Sequence, residues 1–382
     1  HYLKVSFKFR VRKFMKLFKS LLVAPATLGL LAPLSATANE VTINDFNPAE
    51  ELAITNSRVD GLEARLNNFE AGSFSETTSA SFTVEGYLGF MDDDDATVDD
   101  AVAAGYSLQI DLNTSFTGED SLDISLDAGT GGTEGIAEFD GNSLDDPLRV
   151  DGVAYTFPIG EKITAITGID TDGSALFTTA CVYGGPGNLL DDCANVNAGI
   201  TGGGATVGAS YDIGGGWTAA AGAQTTEASV FTEESGDSYA LNTAYITDSY
   251  GLSLTYGVVE NATRTDEDKF TAFNAYYTPE GSLPSISVGY ELGDIGGAGA
   301  GADEQASFMV GLTWDEIGPG SAGVALGHSN TNENADELYQ YEAYYAYPLN
   351  DGMTITPLIF TRDAAGDVDD TTGMMVKTTF TF

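Results

Sequence analysis

Few residues of this chain could support covalent chemistry. The sequence contains two histidines, and His328 is the only one beyond the first residue. A histidine-based catalytic triad or a histidine-rich metal site therefore has almost no candidates. Neither a GxSxG nucleophile motif nor a phosphate-binding P-loop motif occurs. The residue types predict a protein that is not an enzyme and uses no cofactor.

Carboxylates are the remaining candidates for metal binding. Aspartates cluster at residues 92–95 and at Asp191 and Asp192, and carboxylate oxygens are ligands that Ca²⁺ prefers. Neither cluster has the ordered ligand spacing of a calcium-binding loop. Solvated surface charge is the favoured interpretation, and we predict no metal site.

The charge of the chain is strongly negative and unevenly distributed. The formal net charge is −42, and seven of the fifteen lysine and arginine residues lie in the first 19 positions. Nucleic acid binding requires a basic surface, which the rest of the sequence lacks. The strongly acidic surface that this composition predicts attracts cations and repels anions.

The N-terminal region predicts export. Residues 15–38 begin with lysines, continue through a short apolar stretch at 21–34 and end in a small-x-small cleavage pattern at 36–38, as in a secretory signal peptide. A membrane-spanning helix is the alternative, but it requires about 20 apolar residues. Residues 1–14, which lack an initiator methionine, are interpreted as an upstream or artefactual segment.

Cys181 and Cys193 are the only cysteines. In an exported chain they favour a disulfide that closes a loop, because the compartment is oxidising. Two free thiols are the alternative, since no CxxC or metal-binding spacing is present.

Residues 49–71 form the one convincing helical pattern. Apolar residues recur there at spacings of three and four: Val59, Leu62, Leu66 and Phe69. This stripe fits a short coiled coil that helps assembly, or equally an amphipathic helix that packs on the main body or plugs it. Residues 39–73 are therefore predicted to be a periplasmic linker with a short helix.

From residue 79 onward the hydrophobic period changes to two, which indicates β-strands. Most segments are about 10–13 residues long, which is close to the length of a tilted strand that spans a membrane. The predicted strands are 79–91, 103–117, 120–130, 148–160, 161–170, 205–213, 216–225, 238–249, 250–261, 268–279, 284–295, 305–317, 320–332, 338–350, 353–363 and 372–382.

The connections between these strands alternate between short and long. This arrangement is typical of an outer-membrane barrel, with tight turns on one rim and long loops on the other. Residues 74–382 are therefore predicted to be an all-β domain, a transmembrane antiparallel barrel of about sixteen strands. A soluble β-sandwich is the alternative, but its strands would be shorter and its inner face would pack a core.

Charged residues lie on the predicted inner face of these strands, where a water-filled lumen could solvate them. The alternation of side chains selects the following candidates for lining the pore: Glu85, Asp111, Asp123, Asp127, Lys162, Glu291, Glu342 and Lys377. The six acids outnumber the two lysines, so the pattern predicts that cations pass more readily than anions. Salt should weaken this preference.

The assembled pattern resembles the cyanobacterial outer-membrane porins, which are related to the carbohydrate-porin superfamily. The resemblance rests on the leader MKLFKSLLVAPATLGLLAP, on the helix RVDGLEARLNNFEAGSF that runs into SETTSASFTVEGYLGF, and on the Gly-rich barrel that ends in Phe. It implies a trimeric, diffusive channel in the outer membrane. One departure is that only about ten residues stand where the family has an S-layer-homology domain, which puts wall anchoring by this chain in doubt.

The longest connection, residues 171–204, has two interpretations. In general porins the corresponding loop folds into the lumen and narrows it, and Asp191 and Asp192 would then be acids of the constriction. Otherwise it is a surface loop stabilised by a cystine.

The alternation in the last predicted strand indicates which of its side chains face outward. Val376, Thr378, Phe380 and Phe382 alternate onto one face, which we predict faces outward, with the aromatic residues at the membrane rim. Phe380 and Phe382 also resemble the terminal signal that the barrel-assembly machinery recognises.

The predicted function is passive diffusion of ions and small hydrophilic solutes through an outer-membrane porin. Its expected partners are outer-membrane lipid, two further copies of the chain and the barrel-assembly machinery. A substrate-selective channel for carbohydrates or inorganic nutrients is one alternative, and a pore-less structural or adhesive surface barrel is another.

Overall fold

The computed structural model describes residues 78–92, 102–130, 146–187, 190–230, 232, 236–260, 266–299, 301–366 and 368–382. The predicted signal peptide, the predicted helix at 49–71 and most of the aspartate run at 92–95 lie outside these residues. Within the described part of the chain, no helix is long and apolar enough to cross a membrane.

Sixteen antiparallel strands form a closed barrel, as predicted, and each strand pairs with its neighbours in sequence. The first strand pairs with the last over Thr83–Asp92 and Thr372–Thr381, which closes the sheet. The strands are β1 (Thr78–Asp92), β2 (Ala103–Thr114), β3 (Ser121–Gly129), β4 (Arg149–Ile159), β5 (Ile163–Ile169), β6 (Ala205–Gly214), β7 (Trp217–Thr225), β8 (Ser238–Ile246), β9 (Tyr250–Val259), β10 (Asp268–Tyr277), β11 (Ser285–Asp294), β12 (Glu304–Ile317), β13 (Gly320–Asn332), β14 (Gln340–Asn350), β15 (Met353–Arg362) and β16 (Thr371–Thr381).

The outer face of the barrel is apolar. In β9, the side chains of Tyr250, Leu252, Leu254 and Tyr256 are 41–47% exposed, whereas the alternate residue Ser253 is buried. Because a strand places successive side chains on opposite faces, this strand presents its hydrophobic residues outward. A continuous apolar exterior is costly in water and is expected of a barrel that faces lipid.

The two rims differ in the length of their connections. On one rim the strands are joined by short turns, such as 160–162 between β4 and β5 and 215–216 between β6 and β7. The other rim carries the long connections, of which 170–204 between β5 and β6 is the longest. A short 3-10 helix, Glu227–Ser229, lies on that rim in the connection between β7 and β8.

The turn between β2 and β3 is organised by one carboxylate. Asp120 accepts hydrogen bonds from the Ser115 and Thr117 hydroxyls and from the backbone N–H groups of Phe116 and Thr117. The Tyr155 hydroxyl donates a further bond of 2.7 Å from β4. The Tyr155 bond, followed by the bonds from Thr117, lowers the pKa of Asp120 well below its ordinary value.

This turn predicts a defined response to acid. A carboxyl with a lowered folded-state pKa adds stability above its unfolded pKa of about 3.9, and that stability is lost as the pH falls through the folded-state pKa. The Asp120→Asn variant should therefore be less stable than the wild type at neutral pH and should lose less stability below about pH 4. Urea unfolding midpoints at several pH values test this. Parallel pH profiles for the two proteins would contradict it.

Candidate functional site

Residues 170–187 and 190–204, here called the lumen loop, fold into the barrel. Backbone N–H groups of Thr178, Ala180 and Tyr183 donate hydrogen bonds of 2.8–3.1 Å to polar side chains on the inner wall. The acceptors lie on successive parts of the wall: Asn242 on β8, Ser253 on β9 and Ser287 on β11. The loop therefore runs across the inner faces of several strands, as the first of its two interpretations predicts.

The second half of the lumen loop is held by Glu291 on β11. This carboxylate accepts hydrogen bonds from the backbone N–H groups of Asn197 and Ala198, at 2.9 and 2.8 Å, and from the Asn197 side-chain amide at 2.8 Å. On β10, Asn274 donates a 2.7 Å bond to the backbone carbonyl of Cys193. These bonds satisfy backbone groups that the loop would otherwise bury without partners.

Inward-facing glycines bring the loop backbone against the wall. A Cβ atom at Gly289 would lie 1.7 Å from the carbonyl oxygen of Cys193, and one at Gly222 would lie 1.8 Å from that of Gly173. Both distances are far below any van der Waals contact, so only glycine fits at these two positions.

Apolar side chains fill the space between the loop and one side of the barrel. Tyr183, Leu190 and Cys193 of the loop belong to one buried cluster with inward-facing residues of β12 to β16 and β1. The wall members of this cluster are Tyr87, Met91, Met309, Ala325, Tyr344, Leu358, Phe360 and Met375. This side of the lumen is a packed core.

Tyr183 combines the apolar and polar contacts of the loop. Its hydroxyl donates a 2.5 Å hydrogen bond to Glu342 on β14, and its ring packs edge-on against Tyr344 with centroids 6.0 Å apart. Burial, and secondly the negative charge of Glu342, raise the pKa of the Tyr183 hydroxyl far above its ordinary value. The hydroxyl therefore stays a donor to Glu342 at physiological pH.

The lumen loop is closed on itself by a disulfide between Cys181 and Cys193, whose Cα atoms are 6.5 Å apart. The bond joins the part of the loop that contacts Ser253 and Ser287 to the part that contacts Asn274. The disulfide therefore links the two regions of the loop that contact the wall.

The predicted pore acids fall into two groups. Glu291 and Glu342 face inward, but they lie beneath the lumen loop and are 2% and 4% exposed. Asp111 on β2 and Asp123 on β3 also face inward and are partly exposed, whereas Asp127, opposite Arg149 in the β3–β4 ladder, is buried. Asp191 and Asp192 lie on the loop and are partly exposed.

Glu85 and Lys377 form an ion pair on the inner wall, where β1 meets β16. The Lys377 ammonium lies 3.3 Å from a Glu85 carboxylate oxygen. Tyr87 and Thr379 donate hydrogen bonds of 2.6 and 3.0 Å to the same carboxylate. Because its carboxylate is paired with an ammonium, Glu85 contributes less net charge to the lumen than an isolated acid would.

Lys162 is not in the lumen, contrary to the prediction. It lies in the β4–β5 turn with its ammonium 5.7 Å from the centre of the Tyr211 ring, and Tyr211 is an outward-facing residue of β6. The strict alternation of side chains applies within a strand and ends where the chain turns.

Sequence reasoning missed an inward-facing arginine. Arg362 lies at the end of β15, opposite Gln340, and its Nε donates a 3.1 Å bond to the Gln340 side chain. On the same face, Leu358 and Phe360 are apolar because they pack against the loop cluster. An apolar inner face gives no polar alternation by which Arg362 could be assigned to the lumen.

Glu291 should be the principal polar anchor of the loop. Replacing a buried carboxylate that accepts several hydrogen bonds costs about 1.5–3 kcal/mol per charged bond. We expect Glu291→Gln to accelerate hydrogen exchange at the amides of Asn197 and Ala198 by at least tenfold, which corresponds to about 1.4 kcal/mol. Asp123→Asn, a carboxylate away from these contacts, is the matched control. Equal exchange in the two variants would refute the anchoring role.

The fold can be compared with known proteins. No family model matches the chain. An uncharacterized protein of Nostoc sp. is 24% identical over an alignment of 434 residue positions. The alignment covers 94% of this chain and 75% of that protein. A variant of the Rh. blastica porin matches with a TM-score of 0.56 at 13% identity, and it covers 80% of this chain and 100% of its own. A second variant of that porin gives the same TM-score at 12% identity. The likeness at this identity concerns the fold, and the chain is a porin-like, closed sixteen-stranded β-barrel.

Proposed function

We propose that the protein is an outer-membrane channel through which ions and small hydrophilic solutes diffuse passively. The observation that carries the proposal is the inverted arrangement of the barrel, with hydrophobic side chains outward and polar side chains toward the interior. A barrel of about sixteen strands is wide enough to hold water. The lumen loop reduces this space without occupying the polar inner faces of β2 and β3, where Gln109 and Asn113 remain exposed.

Passive diffusion can be tested with proteoliposomes. Vesicles that contain the refolded barrel should swell in isotonic solutions of small hydrophilic solutes, and the rate should fall steeply as the solute becomes larger. Vesicles with a heat-denatured sample serve as the control. Absence of swelling with demonstrably folded protein would refute the channel.

We also propose that the channel conducts cations in preference to anions. This preference is supported by the inward-facing carboxylates of the described strands, such as Glu85, Asp111, Asp123 and Asp127, which outnumber the inward-facing basic groups Arg149, Arg362 and Lys377. Reversal potentials in a KCl gradient should favour K⁺ and should shift toward zero as the salt concentration rises.

A pore-less surface barrel is the second candidate. The observation that favours it is the apolar cluster between the lumen loop and β12 to β16, since this packing fills part of the lumen with side chains. The swelling measurement separates the two functions, because a pore-less barrel would not admit even the smallest solute.

Partners follow from the same proposal. The apolar exterior is suited to outer-membrane lipid, and assembly as a trimer is expected, which sedimentation of the detergent-solubilised protein would detect.

Phe380 and Phe382 are proposed as the signal for the barrel-assembly machinery. Phe382 exchanges backbone hydrogen bonds with Phe82 on β1, and the two rings stack with centroids 5.7 Å apart. Phe382 therefore extends the seam that closes the barrel.

A further inference from the structure

The inner wall of the barrel is divided into a covered and an uncovered part. Beneath the lumen loop, small polar residues that point inward are almost completely buried: Asn242, Ser253, Thr255, Asn274, Ser287 and Ser307 are 0–4% exposed. On the inner faces of β2 and β3, Gln109 and Asn113 are exposed and Asp111, Asp123 and Ser125 are partly exposed, whereas Ser107 and Asp127, nearer the rim with the long loops, are buried. Since both sets consist of hydrophilic inward-facing residues, their difference in exposure reflects the position of the loop.

The uncovered part of the wall holds two carboxylates in fixed positions. Asp111 accepts hydrogen bonds from Gln109 and Ser125 at 3.1 and 2.8 Å, and both bonds reach the same oxygen, Oδ1. On the neighbouring strand, Asp123 accepts bonds from Asn113 at 2.6 Å and from Ser121 at 2.9 Å. All four donors are neutral side chains, so none of these bonds offsets the negative charge of a carboxylate.

The other inward-facing acids selected by the alternation are paired or buried, and Asp127 is 6% exposed opposite Arg149. Glu85 is paired with Lys377 at 3.3 Å. Glu291 and Glu342 bind the lumen loop. A charge influences an ion in water mainly within the Debye length, which is about 10 Å at 0.1 M salt. The acids that act most strongly on a permeating ion are therefore those on the water-exposed wall.

We propose that solutes cross the barrel on one side only, along the inner faces of β2 and β3, and that Asp111 and Asp123 are the residues that set the charge selectivity of the channel. This inference rests on the proposed channel function and gives it a path and specificity-determining residues. Cations are attracted by the two carboxylates, as in channels with acidic side chains in the pore. The carboxylates beneath the loop position the loop and have little effect on selectivity.

The first test removes the two charges. At 0.1 M salt, Asp111→Asn combined with Asp123→Asn should lower the cation-to-anion permeability ratio at least about twofold, since the screening length still spans much of a pore. Glu119→Gln combined with Glu161→Gln removes the same charge from exposed turns on the short rim and should leave the ratio near the wild-type value. An unchanged ratio in the first variant, or an equal fall in both, would overturn the assignment.

The second test locates the path without changing a charge. Ser125→Cys places a thiol on the uncovered wall, and Ser253→Cys places one beneath the lumen loop. A positively charged methanethiosulfonate reagent should reduce the current through the Ser125→Cys channel and leave the Ser253→Cys channel unaffected. Equal sensitivity of the two variants, or sensitivity of Ser253→Cys alone, would overturn the one-sided path.

These outcomes separate the inference from the channel function itself. A wild-type protein that conducts no current would overturn both. A conducting wild type with selectivity that does not depend on Asp111 and Asp123 would overturn the inference alone.

Discussion

Replacing Gly289 with valine should narrow the channel. The side chain would enter a position where even a Cβ atom lies 1.7 Å from the carbonyl oxygen of Cys193. Strand β11 cannot retreat, because it is hydrogen-bonded to β10 and β12 along its whole length. The loop must therefore move, and overpacking of this kind costs about 1–3 kcal/mol. The loop then moves away from β11 toward the open side of the lumen, and we expect the single-channel conductance to fall severalfold.

Gly86→Val provides the matched control for this experiment. Gly86 is also a strand glycine, but a Cβ atom added there meets nothing within 4 Å. Both variants should retain the barrel, which the heat-dependent shift in electrophoretic mobility would verify. If Gly289→Val conducts like the control and the wild type, the loop does not limit the pore.

Removing the disulfide should loosen the loop without unfolding the barrel. Cys181 and Cys193 are separated by 12 positions, and neither lies in a strand. A cross-link over about 15 residues contributes about 3 kcal/mol in the chain-entropy account. In the variant with serine at both positions, amides at 178–198 should exchange at least tenfold faster, which corresponds to about 1.4 kcal/mol. The open-channel current should also become noisier.

Two controls accompany the serine variant. Amides in the strands, such as those of β9, should exchange at the wild-type rate, because their ladder does not depend on the cross-link. Treating the wild type with a reducing agent should reproduce the effect on the loop wherever the reagent reaches the bond. A loop that exchanges equally slowly with and without its cysteines would show that wall contacts alone hold it.

The strands could be predicted because their outer faces repeat regularly. In β9, four outward hydrophobic residues alternate with small or polar inward residues, and this pattern arises from the pleat of a single strand. The order of the strands in the sheet requires little further information, since each strand pairs with its neighbour in sequence and the first pairs with the last. The fold could therefore be predicted from local patterns, which are visible in the sequence.

The inside of the barrel was harder to predict, because it depends on contacts between distant residues. Met309, Leu358 and Met375 face inward although they are apolar, since they pack against the lumen loop. The alternation of side chains correctly predicts that Glu291 and Glu342 face inward. It does not reveal that the lumen loop covers them. Inward-facing glycines such as Gly222 and Gly289 were the available signal, because glycine in a strand often marks a close backbone approach.

We propose that a continuous aqueous path runs through the barrel beside a fixed lumen loop. Single-channel recording of the refolded protein in a planar lipid bilayer tests it most directly. Open channels should give discrete current steps of uniform size, proportional to voltage, with a reversal potential in a KCl gradient that favours the cation. Bilayers that stay silent although folded protein has been incorporated would contradict it.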